Sequence, residues 1–232
     1  MKVIGFDTAT DDTVVAATID GETVFEFLEG PGPDGKPVHS ETLLRAVNEA
    51  AEVCGGWPEV SRVAVGTGPG TFTGIRIGLS TATGLALATG VDLVPVSTLR
   101  AVAQPMLGEG PVLAVLDARR KEAFAALYAG DGSEIWPPFV SSPEDLAERL
   151  TGLASSPKAG GPGAIRFSEE LTRVGVKIPA PEAGIHRLSG CSICDLGALA
   201  ARVDQTNPLE PTYLRVPDAQ LWLQRDGDKN RP

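Results

Sequence analysis

The chain has 232 residues, a length that corresponds to one large domain or two small ones. Hydrophobic residues make up 42% and charged residues 22% of the sequence, a composition that disfavours intrinsic disorder, collagen and coiled coil. The formal net charge is −10, and a chain this acidic repels phosphate backbones on average. We therefore expect any role in nucleic-acid chemistry to run through a partner.

The sequence also predicts the compartment. The first residues include Asp7, Asp11 and Asp12 and lack the apolar run of a secretory signal. No stretch reaches the roughly 18 apolar residues of a membrane span. Three cysteines cannot all pair with one another, which is typical of a reducing compartment. We expect a cytoplasmic protein with no membrane partner.

The chain is predicted to open with three short strands rich in β-branched and aromatic residues. These strands occupy residues 3–6, 13–19 and 23–28. Asp20-Gly21 between the last two strands is a strong hairpin signal. After the turn-rich loop 30–37, Ser40 is the predicted cap of an amphipathic helix that ends near Gly55.

A glycine-rich turn connects a predicted buried strand at 62–66 to a second helix at 75–89. The turn, residues 66–74, reads GTGPGTFTG, and the helix carries a single charge, Arg76. A helix that is apolar on all sides must be covered on more than one side. Two interpretations stay open: a helix in the centre of the core, or a helix half buried in the fold and half in a subunit interface.

The rest of the chain repeats the order of strands followed by helices. Further strands are predicted at 92–96, 112–116, 124–128 and 135–140, and further helices after Ser97, Ser142 and Ser168 and over 189–203. The strand that ends in Asp117 resembles the first strand, which ends in Asp7, and this similarity suggests a duplication. The sequence therefore predicts an α/β fold of mixed sheets covered by helices.

Two features suggest phosphate or metal chemistry, and each also has a structural interpretation. Glycines between a strand and a helix, such as Gly68 and Gly70, expose amides that can bind phosphate, but their spacing matches neither a Walker loop nor a dinucleotide fingerprint. Asp7, followed by Thr8, could face Asp117 and hold magnesium, or each aspartate could cap a turn. We expect tight turns and no metal site, with a nucleotide contact as the alternative.

The remaining polar motifs predict structural roles. His39 precedes a helix and is expected in a turn or on the surface. Cys191 and Cys194 have the spacing of a zinc or redox pair, but residues three apart share a helix face, so inward packing is favoured. The basic run 119–121 is expected at a solvated hairpin tip. The sequence assigns no catalytic residue.

Six segments together resemble the TsaB (YeaZ) family. They are IGFDTAT at the start, HSETLL at 39–44, VAVGTGPGTFTGIRIGLSTATGLA at 63–86, PVSTL at 95–99, VLAVLDARRKEAFAALY at 112–128 and EPTYLR at 210–215. The resemblance implies a two-lobed fold of the actin, sugar kinase and Hsp70 (ASKHA) type, in which each lobe is like ribonuclease H. We divide the chain into an N-terminal lobe at 1–107, a C-terminal lobe at 108–216 and a tail at 217–232.

The resemblance also implies a function. TsaB proteins support the TsaD subunit in transferring threonylcarbamoyl to the adenosine beside the anticodon of tRNA, and TsaE is an ATPase partner. TsaD carries a His-x-x-x-His metal pair on the helix that corresponds to the first helix here, where His39 is followed by Leu43. Because one metal ligand is absent, we expect a non-catalytic scaffold that meets tRNA only through the complex.

The resemblance places the first two helices in a bundle shared with TsaD, or with a second copy of the chain when TsaD is absent. Periodicity selects as interface candidates Leu43, Leu44, Val47, Ile75, Arg76, Leu79, Ala82 and Ala86. The chain itself is expected to need no cofactor, although ATP or ADP with magnesium at the boundary of the complex stays open. The alternative function is an independent ASKHA-type phosphotransferase or ATPase that uses Asp7, Asp117 and the glycine turns.

Overall fold

A computed structural model describes residues 1–200 and 209–215, and its first β-sheet has five strands. They are β1 (Lys2–Asp7), β2 (Thr13–Ile19), β3 (Glu22–Glu29), β4 (Arg62–Gly66) and β5 (Asp92–Val96). The order is β3-β2-β1-β4-β5, with β1, β2 and β3 antiparallel and β4 and β5 parallel to β1. The predicted hairpin is confirmed, since Asp20 and Gly21 both have positive φ, 50° and 87°.

The second sheet repeats this arrangement with four strands. They are β6 (Val112–Asp117), β7 (Ala123–Tyr128), β8 (Glu134–Ser141) and β9 (Lys158–Gly160), in the order β8-β7-β6-β9. The strand β6 takes the place of β1, because it is antiparallel to the strand that follows it and parallel to the strand on its other side. The prediction of mixed sheets is confirmed.

Seven α-helices are described. They are α1 (His39–Val53), α2 (Phe72–Thr89), α3 (Thr98–Ala103), α4 (Pro143–Leu150), α5 (Pro162–Arg166), α6 (Ser168–Arg173) and α7 (Gly190–Leu199). Single 3-10 turns lie at Trp57–Glu59, Gln104–Met106 and Gly184–His186. Each helix in the described part of the chain is too short or too polar to span a membrane. The predicted end of the last helix at 203 and the tail at 217–232 lie outside the described residues.

The helix starts were predicted in part. Ser97 and Ser142 are N-caps whose hydroxyls accept hydrogen bonds from the backbone three residues on, at 3.4 and 3.1 Å. The prediction for Ser40 was wrong, because α1 already begins at His39 and has no side-chain cap. The helix α2 begins three residues before its predicted start, because the Thr71 hydroxyl accepts a hydrogen bond from the Gly74 amide at 3.2 Å.

Helices and sheets alternate in five layers. The helices α1 and α2 cover the outer face of the first sheet, and their apolar side chains pack with Ile4 and Phe6. The helices α4, α5 and α6 cover the outer face of the second sheet. Between the sheets lies a shared apolar cluster that takes Val3 from one sheet, Ala114 from the other, and side chains of α3 and α7. The largest continuous core therefore belongs to both halves of the chain.

The two helices of the middle layer are exchanged between the halves. The helix α3, from the first half, packs on β6 and β7, whereas α7, from the second half, packs on β1, β2 and β4. The expected division of the chain at 107 and 108 falls between the two sheets, and each of these helices crosses to the sheet of the other half. The exchange results from long-range packing, since each helix buries its apolar side chains on the sheet of the other half.

Glycines allow α7 to lie close to the first sheet. A side chain on Gly5 would meet the Cys194 sulfur at 2.8 Å, and one on Gly190 would meet the Ala16 side chain at 2.7 Å. A side chain on Gly197 would overlap the Ala64 Cβ. The sheet and the helix touch backbone to backbone at these points, so larger residues cannot be accommodated without moving the helix.

We expect Gly197→Ala and Gly84→Ala to have opposite effects, although both glycines lie within helices. Alanine at Gly197 collides with Ala64 and should lower the free energy of unfolding by about 1–3 kcal/mol. Gly84 has no atom within 4 Å of the added methyl group, so its replacement should raise stability by up to about 1 kcal/mol. Urea unfolding of both variants measures this, and equal effects would contradict the close packing of α7.

Candidate functional site

The end of β1 and the glycine-rich turn form one hydrogen-bonded cluster. Asp7 accepts hydrogen bonds from the Ala9 amide at 2.5 Å and from the Thr98 hydroxyl at 2.6 Å. The same Thr98 hydroxyl accepts one from the Gly68 amide at 3.1 Å. The Thr8 hydroxyl donates to the Gly74 carbonyl at 2.7 Å. Three motifs of the sequence, at 7–10, 66–74 and 97–99, therefore meet at one point.

The glycines of this turn serve close packing within the chain. A Cβ atom on Gly66 would overlap the Asp7 carboxylate, one on Gly70 would overlap the Ala9 carbonyl, and one on Gly74 would overlap the Thr8 carbonyl. Gly68 has a φ of 95°, which L-residues rarely adopt. The turn is therefore filled by the chain's own atoms, and its geometry supports the structural interpretation rather than a phosphate cradle.

Asp7 and Asp117 occupy equivalent strand ends but do not form a facing pair. Asp7 is 0% exposed, and burial raises its pKa to about 6. Asp117 lines the cleft between the two sheets, accepts a hydrogen bond from the Arg119 amide at 2.8 Å, and pairs with Arg166 at 3.1 Å. Each carboxylate caps the turn that follows its strand, as the structural interpretation predicted.

Asp7 and Asp117 do not fit a magnesium nucleotide, the ligand that the resemblance to the ASKHA type suggests for this place. Asp7 has both carboxylate oxygens engaged and is shielded from the cleft. Asp117 lies beside Arg119 and Arg166, whose positive charges disfavour the binding of a metal cation there. Among residues 1–200 and 209–215, no group of three or more histidines, cysteines and acids is placed to hold a metal. No reaction step is therefore assigned to a nucleotide on this chain.

Ion pairs cross the mouth of the cleft, which has a volume of about 500 Å³. Arg119 contacts Asp11 at 2.6 Å, and Arg187 contacts Asp12 at 3.1 Å. The basic run 119–121 forms the tip of the β6–β7 hairpin, as predicted, with φ of 64°, 50° and 62°. Sequence reasoning missed the pairing of Arg119 across the cleft, because no local pattern indicates which acid lies opposite.

His39 is a buried residue, not the turn or surface residue that was predicted. It is 3% exposed, and its Nδ1 lies 2.8 Å from the Thr13 hydroxyl. Burial lowers its pKa, so the neutral imidazole is favoured. His39 is the first residue of α1 and lines a surface groove. Leu43, four residues later on the same helix, lines the groove too.

The two cysteines near the C-terminus are structural. Cys194 is buried against β1 and β2, its sulfur lies 3.4 Å from the Ala16 carbonyl, and burial raises its pKa to about 12. Cys191 lies at the edge of the sheet and donates to Glu26 at 2.9 Å. The prediction of inward packing is confirmed for Cys194, whose thiol is held in its unreactive, protonated form.

An open groove of about 600 Å³ lies between α1 and α2. It is lined by His39, Ser40, Leu43, Leu44, Phe72, Thr73, Arg76, Ile77, Ser80 and Thr81. Leu44 is 54% exposed although it is apolar. The two helices thus pack on the sheet with one face and present a mixed apolar and hydroxyl surface with the other.

The burial pattern corrects the set of interface candidates. Leu43, Val47, Ile75, Leu79 and Ala82 pack into the core of their own half and are at most 8% exposed. Ala86 is half-buried against the same core. Of the predicted residues, Leu43, Leu44 and Arg76 line the groove. Because α2 is apolar on all sides, its periodicity does not show which face the sheet covers. On α1, the apolar face that carries Val47 is the face that packs on the sheet.

Residues 209–215, which we call the C-terminal strap, run along the glycine-rich turn toward the second half. The Thr212 amide donates to the Thr67 carbonyl at 2.8 Å, and the Tyr213 ring lies 5.1 Å from that of Phe72. Arg215 donates to the Ala118 carbonyl at 2.7 Å. The motif EPTYLR signalled this segment in the sequence, but its contacts could not be predicted.

Comparison with known proteins places this geometry in a family. The family model for TsaD, tRNA N6-adenosine threonylcarbamoyltransferase, matches residues 35–202. The tRNA threonylcarbamoyladenosine biosynthesis protein TsaB of Escherichia coli is 35% identical over 162 residues, which are 66% of this chain and 68% of that protein. The structure of YeaZ from Pseudomonas aeruginosa superposes with a TM-score of 0.75 at 25% identity, covering 92% of this chain and 99% of YeaZ.

The architecture alone defines the class of protein. A hexokinase of the ROK type from Thermus thermophilus superposes with a TM-score of 0.50 at 15% identity, covering 86% of this chain and 99% of the hexokinase. Together with the two similarly ordered sheets, this likeness shows an ASKHA-type fold, as expected from the sequence. Within that class, the chain belongs to the TsaB family.

Proposed function

We propose that this chain acts in the biosynthesis of threonylcarbamoyladenosine in tRNA as a non-catalytic subunit that binds and activates TsaD. The observation that carries the proposal is the open α1–α2 groove on a chain of the TsaB family. An exposed apolar residue such as Leu44, beside partly buried aromatic and aliphatic side chains, is typical of a protein–protein contact.

The absence of catalysis by the chain itself is supported by how its polar groups are engaged. Asp7 is buried and accepts a hydrogen bond from Thr98, and the glycine-rich turn packs against the backbone of residues 8 and 9. At the helix position of the TsaD metal pair, His39 is bonded to Thr13, and Leu43 is an apolar side chain that cannot bind a metal.

The proposed partners bind the α1–α2 groove or reach the chain through TsaD. TsaD occupies the groove, and a second copy of the chain occupies it when TsaD is absent. TsaE joins the larger complex, and tRNA is reached through TsaD because the net charge of −10 opposes direct binding to a phosphate backbone. The burial of Asp7 and the pairing of Asp117 with arginine do not favour the independent ATPase or phosphotransferase.

Reconstitution tests the proposal. Transfer of threonylcarbamoyl to unmodified tRNA is measured with TsaD, TsaE and the activated threonylcarbamoyl donor, with and without this chain. We expect product only when the chain is present, and no ATP hydrolysis by the chain alone. Product formation that does not depend on the chain would contradict the proposal, as would ATP turnover by the isolated chain that is lost in Asp7→Asn.

A further inference from the structure

We infer that Arg76 is the charged determinant of the groove and that it receives a carboxylate from the docked partner, with Tyr213 of the C-terminal strap holding it in position. The inference rests on the proposed function and adds the chemistry by which the partner is recognised. Arg76 is the one charged side chain among the residues that line the groove. A partner that covers the groove therefore has to meet this charge or bury it unpaired.

The guanidinium of Arg76 is held in place from two sides. It lies over the ring of Phe72 at 3.7 Å from the ring centroid. Its Nε donates a hydrogen bond to the Tyr213 hydroxyl at 3.2 Å, and the Tyr213 ring packs on Phe72. These contacts fix the plane of the guanidinium, and within residues 1–200 and 209–215 neither of its Nη groups donates a hydrogen bond.

Three other arginines of the described residues pair with acids. Arg45 pairs with Glu49, Arg119 with Asp11 and Arg187 with Asp12. Among the described residues, no carboxylate lies within 4 Å of Arg76, although the chain carries ten more acids than bases. Arg149 is likewise stacked on aromatic rings, those of Trp136 and Phe139, but Arg76 is the one of the two that lines the groove, where a docked partner can supply an anionic group.

The Nη side of the Arg76 guanidinium favours a particular kind of anion. Two Nη groups in one plane match the two oxygens of a carboxylate, and the surrounding Leu44 and Ile77 suit apolar side chains. The partner surface is therefore an apolar helix face that carries an aspartate or glutamate. Docking excludes water from the pair, which strengthens it, and Tyr213 reduces the freedom that Arg76 would lose on binding.

Calorimetric titration of the full chain with TsaD tests the pair. We expect Arg76→Ala to weaken binding by about 30-fold or more, and Arg76→Lys to restore only part of the affinity because lysine lacks the planar fork. The matched control is Arg173→Ala, an exposed arginine of α6 in the second half, which should bind like the wild type. Raising the salt concentration should weaken the wild type more than Arg76→Ala.

A double-mutant cycle tests the role of Tyr213. The substitution Tyr213→Phe removes the hydroxyl and keeps the ring, so it should weaken binding about three- to tenfold in the wild type and have no effect in Arg76→Ala. Equal affinity of Arg76→Ala and the wild type would overturn the inference and leave the proposed function intact. If the wild type does not bind TsaD at all, the proposed function and the inference both fail. An equal effect of Tyr213→Phe in both backgrounds would overturn the positioning role.

Discussion

Replacing Leu44 with aspartate is expected to weaken binding to TsaD by about 100-fold or more and to leave the free energy of unfolding within about 0.5 kcal/mol of the wild type. Leu44 lines the groove on α1, and more than half of its side chain is exposed, so the folded chain tolerates a charge there. In the complex the same carboxylate would be buried against an apolar helix face without a partner, which is strongly unfavourable.

The matched control for this experiment is Ile135→Asp. Ile135 is exposed to a similar extent, 46%, but lies on β8 of the second sheet, away from the groove. Its replacement should leave TsaD binding unchanged. Size-exclusion chromatography and calorimetry with TsaD give the readout, and urea unfolding checks the fold. A Leu44→Asp chain that is folded and still binds TsaD like the wild type would place the interface elsewhere on the molecule.

The buried carboxylate of Asp7 is expected to make the protein less stable as the pH rises from about 4 to about 6. Burial raises the pKa of Asp7 from 3.8 to about 6, so in this pH range the unfolded chain releases a proton that the native state retains. The cost of ionising Asp7 is then fully present above pH 6 and amounts to about 3 kcal/mol. The Thr98 hydroxyl and the Ala9 amide keep the cost from being larger.

The variant Asp7→Asn isolates this effect from the other titrating groups. Asparagine has the size of a protonated aspartate and keeps the acceptor for the Ala9 amide. The difference in unfolding free energy between the wild type and Asp7→Asn should shift by about 2 kcal/mol, to the disadvantage of the wild type, between pH 4 and pH 7. Urea unfolding across this range measures it. A difference that does not change with pH would show that Asp7 is not buried as described.

The sequence was sufficient for eight of the nine described strands and for several helix starts, because these depend on neighbouring residues. Asp20-Gly21 predicted its hairpin, since few residues adopt two successive positive φ angles. Ser97 and Ser142 predicted their helix starts through side-chain caps. The similarity of the two strands that end in Asp7 and Asp117 predicted that the two halves have the same arrangement, and the strand orders of the two sheets confirm this.

The groove was predicted less well, because its composition depends on tertiary packing. An apolar stripe shows which residues avoid water but not whether the sheet or a partner covers them. Ile75 and Ala82 face the sheet, whereas Arg76 and Leu44 remain outside. The strap was recognised as a motif, but its contact with Phe72 joins residues more than a hundred positions apart, which no local pattern encodes.

The exchange of α3 and α7 has a consequence during synthesis of the protein. The strands of the first sheet are complete by residue 96, but one of their faces stays bare until α7, at 190–199, has emerged from the ribosome. The N-terminal half therefore cannot complete its packing until α7 has been made, although domains usually form in the order in which they are made. A nascent chain halted before α7 therefore leaves the apolar residues on one face of the first sheet without their helical cover.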